Sequence, residues 1–131
     1  MTIEMSRSES NTFDVSILIV DDDKDIRSNV ADILVDLGYD ACTAGDGPQA
    51  MALVQQRGFD VALLDFRMPG MDGLTLYRKI CQLRPGMAGL LITAYAADEL
   101  TDEALQAGIR QVVRKPFDVP EILKTIAALA G

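Results

Sequence analysis

Five short apolar runs, each separated from the next by a segment of helical periodicity, leave this chain few folds to choose from. The run Ile17-Leu18-Ile19-Val20 is apolar at every position and is stopped by three aspartates. That pattern belongs to a strand covered on both faces, as in a parallel sheet. Tyr39 to Ala44, Val61 to Leu64 (ending at Asp65), Gly89 to Thr93 and Ile109 to Val113 supply the other four strands. The last has polar residues interleaved, as suits a sheet edge. Between them, Ile26, Val30, Ile33, Leu34 and Leu37 share one helical stripe that Gly38 stops. Gly47-Pro48 opens a second helix through Met51 and Val54, closed by Gly58. Pro69-Gly70 turns the chain into a third carrying Leu74, Tyr77 and Cys81, which Pro85-Gly86 breaks. A fourth runs from about Asp98 to Gly108, and the fifth opens on Asp118 and Glu121 in capping-box spacing. Strand–helix alternation with short links predicts an α/β fold, a five-stranded parallel sheet with helices on both faces. Residues 1–15 are polar and aperiodic and read as a frayed tail, which leaves 16–131 as one domain.

Composition narrows the chemistry. The chain has no histidine. This excludes Ser-His-Asp and Cys-His catalysis, His-ligated zinc and any phosphohistidine on the chain itself. Its net charge is −8, and the tail contributes only Glu4, Glu9 and Asp14 against Arg7, so the acidity belongs to the domain. Such a surface disfavours direct nucleic-acid binding. Cys42 and Cys81 fall in regular elements and read as reduced core thiols. With no basic-then-apolar leader and no apolar run near ~18 residues, the expectation is a soluble, cytoplasmic protein without membrane contact.

Asp21-Asp22 follow the first strand and Asp65 ends the third. If the first crossover goes one way and the next reverses, strands one and three are neighbours in the order 2-1-3-4-5, and ligands bind outside their carboxyl ends. Three converging carboxylates repel unless cations neutralise them. Lys115, just past the fifth strand, offers one positive charge, and a divalent cation would supply the rest. An all-oxygen site of this kind suits Mg²⁺. A carboxylate flanked by metal and ammonium is a competent nucleophile toward a phosphoryl group, and Thr93 at the end of the fourth strand offers a hydroxyl. Plainer roles exist for each residue. Asp21 to Asp23 suit a helix N-terminus, Asp65 a turn, Thr93 a helix cap and Lys115 a solvated edge. All of them falling at carboxyl ends of strands favours the shared site.

These residues are also where the chain resembles the receiver domains of two-component response regulators. The matching segments are ILIVDD (17–22), LLDFRMPGMDG (63–73), LITA (91–94) and Lys115-Pro116-Phe117, with Gly45-Asp46-Gly47 before a helix also in keeping. The resemblance covers residues 16–130 and implies the flavodoxin-like (βα)5 fold, whose strand order is a property of that family. It implies that Asp65 is the phosphoacceptor and that Asp21, Asp22, Asp65 and the backbone carbonyl of Arg67 hold Mg²⁺ or Mn²⁺. Thr93 is similar to the family's switch hydroxyl and Lys115 to its phosphate-contacting lysine, with a cis Lys115–Pro116 bond. Val112 occupies the position of the family's rotating aromatic, a departure that puts the usual coupling of threonine to aromatic in question. Tyr95 and Arg67 flank the site as candidate modulators.

The resemblance therefore implies a receiver that takes a phosphoryl group from a sensor histidine kinase or histidine phosphotransfer protein. It would act on a downstream protein through the face of the fourth helix, fifth strand and fifth helix, or as a homodimer on phosphorylation. It would catalyse its own phosphorylation and dephosphorylation without being a conventional enzyme. The alternatives are a receiver cut from a hybrid kinase or longer regulator, and a relay intermediate passing the group to a second histidine protein. An aspartyl-phosphate hydrolase of the haloacid dehalogenase type needs an acid two residues after the nucleophile, where Arg67 stands. The intact acidic set argues against a pseudo-receiver.

Overall fold

All five strands of the computed structural model, which describes residues 15–94 and 97–130, are parallel and stand in the order β2-β1-β3-β4-β5. They are β1 (Ser16–Val20), β2 (Asp40–Ala44), β3 (Val61–Asp65), β4 (Ala88–Thr93) and β5 (Gln111–Arg114). The helices are α1 (Lys24–Asp36), α2 (Gly47–Gln56), α3 (Gly73–Leu83), α4 (Asp98–Gln106) and α5 (Val119–Ala130). The doubly wound α/β architecture expected from the alternation is the one observed. Residues 1–14, most of the expected tail, lie outside the described residues, as does Tyr95.

The continuous apolar runs have a simple cause: each face of the sheet has its own core. Leu18, Val20, Leu64 and Leu91 point to the side where Val54 of α2, Leu76 and Ile80 of α3 and Ala104 of α4 pack. Ile17, Ile19, Leu63, Leu90 and Ile92 point to the other, against Val30 and Leu34 of α1 and Ile122 and Ile126 of α5. Successive strand residues face opposite ways, so a strand covered on both sides carries no polar alternation.

Three local expectations shift. Leu37 is the C-cap of α1 and stands exposed, because the helix ends before the stripe reaches it. Arg57, not Gly58, ends α2, in extended backbone. Its guanidinium then donates to Asp40 at 2.6 Å and Ser16 Oγ at 2.8 Å and covers the Phe59 ring, tying α2 to the amino end of the sheet. Ile109 belongs to the turn after α4, its N–H donating to Ala104 O at 3.0 Å, so β5 begins at Gln111. Gly108 makes that turn with φ +103°, a conformation open to glycine at little steric cost. The thiols of Cys42 and Cys81 are both free and half-buried.

Tyr77 pins α3 to the sheet. Its buried hydroxyl donates to Met87 O at 2.9 Å, and its ring lies where a Cβ on Gly89 would stand 2.5 Å away. Tyr77→Phe leaves the Met87 carbonyl without that donor and is expected to cost about 1–2 kcal/mol in urea unfolding. A variant as stable as wild type would show that the bond contributes nothing net.

Candidate functional site

The reversal of winding between β1 and β3 opens a crevice at their carboxyl ends. Val20 of β1 is in register with Leu64 of β3, so the next residues, Asp21 and Asp65, emerge side by side. Both are 4% exposed, whereas Asp22 is exposed. Each of the three offers a carboxylate oxygen, and those oxygens lie within 4.8 Å of one another.

The run of three aspartates divides its work by position. Asp23 is the N-cap of α1, its side chain accepting from the N–H groups of Asp25 at 2.9 Å and Ile26 at 3.2 Å. Asp21 turns inward, its Oδ1 accepting from Asp23 N at 2.9 Å. Helix capping and the acidic cluster are therefore both present, carried by different members of the run.

Lys115 closes the pocket from the far side. Its Nζ is 3.0 Å from Asp65 Oδ1 and 3.6 Å from Asp21 Oδ2. Its backbone N–H donates to Thr93 O at 2.7 Å, which ties the loop after β5 to the end of β4. The Lys115–Pro116 bond is cis. Thr93 is 1% exposed at the last position of β4. Arg67 is exposed two residues after Asp65. Val112 is half-buried beside Leu91 and packs with the core on the α2–α3–α4 side.

Electrostatically the pocket is short of positive charge. Burial pushes the Asp65 carboxyl up to about 6; the hydrogen bond from Lys115 pulls the other way, and Asp21 adds repulsion. Asp21 is raised too, chiefly by burial and against the hydrogen bond from Asp23 N–H. Lys115 loses solvation on burial, but its bond to Asp65 and attraction to both carboxylates outweigh that loss, and its pKa rises. One ammonium does not offset three carboxylates. The donor set fits a hard divalent cation: it is all oxygen, and three carboxylate oxygens gathered within 4.8 Å of one another can converge on one ion. The exposed Asp22 leaves the outer side open to water and an anionic ligand.

Two contributors escaped the sequence reading. Gly73 opens α3 where a Cβ would lie 2.3 Å from the backbone oxygen of Asp65. Its place in the MDG segment was the available signal. Arg27 of α1 donates from Nη1 to Asp21 O at 3.1 Å, a contact that nothing in the amphipathic pattern announces.

A doubly wound sheet with a carboxylate–lysine pocket at its switch point defines a class, an open α/β domain whose chemistry is that of an acidic, oxygen-lined crevice. The chain belongs to the response regulator receiver domain family of two-component signalling, whose model matches residues 17–127. It is 42% identical over 106 residues to a response regulator receiver protein of Anaeromyxobacter sp. strain Fw109-5, covering 81% of this chain and 44% of that one. A CheY-like receiver domain from Methanospirillum hungatei superposes with a TM-score of 0.84 at 34% identity, covering 88% and 93% of the two chains. The CheY of Borrelia burgdorferi, solved as a complex with CheX, BeF3 and Mg²⁺, gives 0.81 at 26% identity, with 88% of each chain covered. The chain thus spans less than half the length of the first of these relatives. Among the described residues, no helix is long and apolar enough to cross a membrane.

Proposed function

We propose that Asp65 accepts a phosphoryl group from a phosphohistidine on a partner kinase or phosphotransfer protein, in a reaction that depends on Mg²⁺ or Mn²⁺ held by Asp21, Asp22, Asp65 and the carbonyl of Arg67. The observation that carries this is the lysine-bridged carboxylate cluster at the switch point. An Asp65 oxygen attacks phosphorus in line as the donor's P–N bond breaks, leaving an acyl phosphate here and neutral imidazole on the donor. Lys115, whose Nζ is 3.0 Å from Asp65 Oδ1, pairs with phosphoryl oxygens once they arrive there. When bound, the divalent cation neutralises charge on those same oxygens. The donor histidine lies outside these 131 residues, which contain none.

Thr93 supplies the hydroxyl that follows the added negative charge, and the consequence is a population shift on the face of α4, β5 and α5 that a downstream protein or a second copy reads. Exposed Leu105 gives that face an apolar contact. Val112 in place of an aromatic favours, as a second reading, a relay that hands the group to another histidine protein. A cytoplasmic setting accords with both.

Intact mass after incubation with Mg²⁺ and acetyl phosphate tests the chemistry. The expected result is a single added phosphoryl group on wild type, absent from Asp65→Asn and absent with a chelator. No adduct on wild type, sampled within seconds, would remove Asp65 as acceptor from this donor.

A further inference from the structure

Of the three clustered carboxylates, Asp22 has the least to hold it. Asp21 is buried and accepts from Asp23 N–H, and Asp65 pairs with Lys115. Asp22 is exposed, and among the described residues its carboxylate makes no hydrogen bond or ion pair. Its place in the cluster is therefore set by the backbone that carries it.

That backbone is gripped from two sides. The N–H of Asp21 donates to Ala44 O at 3.2 Å, which anchors the entry to the turn against the end of β2. The carbonyl of Asp21, which is one half of the Asp21–Asp22 peptide plane, accepts from Arg27 Nη1 at 3.1 Å. Arg27 stands one turn into α1, and its guanidinium lies against the β2–α2 loop, 3.4 Å from where a Cβ on Gly45 would be. The guanidinium thus fills the space between the turn that bears the acidic pair and the neighbouring loop. Fixing the plane of a peptide bond fixes the N–Cα bond of the next residue. The hydrogen bond from Asp23 N–H to Asp21 Oδ1 at 2.9 Å holds the following plane, so the two together set how the Asp22 Cα–Cβ bond leaves.

We infer that Arg27 is a positioning residue for the metal site, acting through Asp22: by clamping the Asp21 carbonyl against the β2–α2 loop it keeps the otherwise unsupported Asp22 carboxylate aimed at the cluster. The inference rests on the metal-binding reading above and deepens it. Arg27 touches neither the cation nor the phosphoryl group in this scheme. A Cβ at position 45 would only reach van der Waals contact with the guanidinium, which shows how closely the loop lies against it.

The test is a double-mutant cycle read by calorimetric Mg²⁺ binding, with no phosphodonor present. Arg27→Met removes the donor while keeping much of the stem, and is expected to weaken Mg²⁺ binding about tenfold, the lower range for a residue that orients a ligand. Asp22→Asn weakens binding on its own account. In the Asp22→Asn background, Arg27→Met is expected to have no further effect, because the group through which it acts is gone. Arg27→Lys, which keeps one donor but not the planar span, is expected to fall between wild type and Arg27→Met. It also carries the same cycle if the methionine variant does not fold. An undiminished effect of either Arg27 substitution in the Asp22→Asn background, or wild-type affinity in both single variants, would overturn the positioning role while leaving the metal site standing. Absence of Mg²⁺ binding by wild type would overturn the metal-binding reading and this inference together.

Discussion

Asp65→Asn is expected to make the metal-free protein more stable at pH 7, by about 2–3 kcal/mol, while removing its capacity to take up a phosphoryl group. The folded protein holds the Asp65 proton more tightly than the unfolded chain does, with a pKa of about 6 against an ordinary 3.8. Between those values the folded state binds more protons, so raising the pH through that window favours unfolding. Above it the folded state carries the full cost of a buried carboxylate beside Asp21, which Lys115 only partly offsets. The neutral amide of the variant has no such charge to hold. The stability gap between variant and wild type should therefore be near zero at pH 4 and open progressively to pH 7, measured by urea unfolding with chelator present. Adding Mg²⁺ should narrow or reverse the gap, since binding stabilises the form that keeps the carboxylate. A gap of equal size at both pH values would show that its source is not the ionisation of Asp65.

Gly73→Ala is expected to have the largest effect of any single methyl added near the site. The new carbon would sit 2.3 Å from Asp65 O and 3.0 Å from Asp65 C, both backbone atoms at the end of a central strand. No side-chain rotation relieves such a contact. Either the start of α3 moves away from β3, or Asp65 moves away from Lys115. The first loses the Gly73 N–H bond to Phe66 O at 2.8 Å and disturbs the Asp72 cap on Thr75 N. The expected loss is roughly 3 kcal/mol, at the upper end for overpacking a fixed contact. Phosphoryl uptake should slow in the same variant, because the oxygen proposed as acceptor is displaced. Unaltered unfolding and unaltered uptake together would mean that the strand end and helix start separate at little cost.

The fold was legible because it rests on short-range patterns. The runs at Ile17–Val20 and Val61–Leu64 are apolar throughout because both faces are covered, and Gly38, Gly70, Gly86 and Gly108 all take positive φ where the chain turns. The boundaries that shifted did so for tertiary reasons. Ile109 looks like strand by type, yet its N–H goes to Ala104 O and completes the helix end. Arg57 ends α2 because its side chain is drawn to Asp40 and Phe59 at the sheet's amino edge, the first of them far away in sequence.

By itself the sequence determined the order of strands and helices and the placing of Asp21, Asp22, Asp65, Thr93 and Lys115 at strand carboxyl ends. Periodicity and turn chemistry act within a few residues, and a linear chain displays them openly. Only the tertiary structure decided which aspartate of the run caps α1 and which enters the pocket. It also decided that Lys115 reaches two carboxylates, and that Arg27 grips the carbonyl between the acidic pair. Those outcomes depend on the register of β1 against β3 and on how the loops close over the sheet's end. The Lys115 contacts join residues tens of positions apart, and their distances come into being only when both cores have packed.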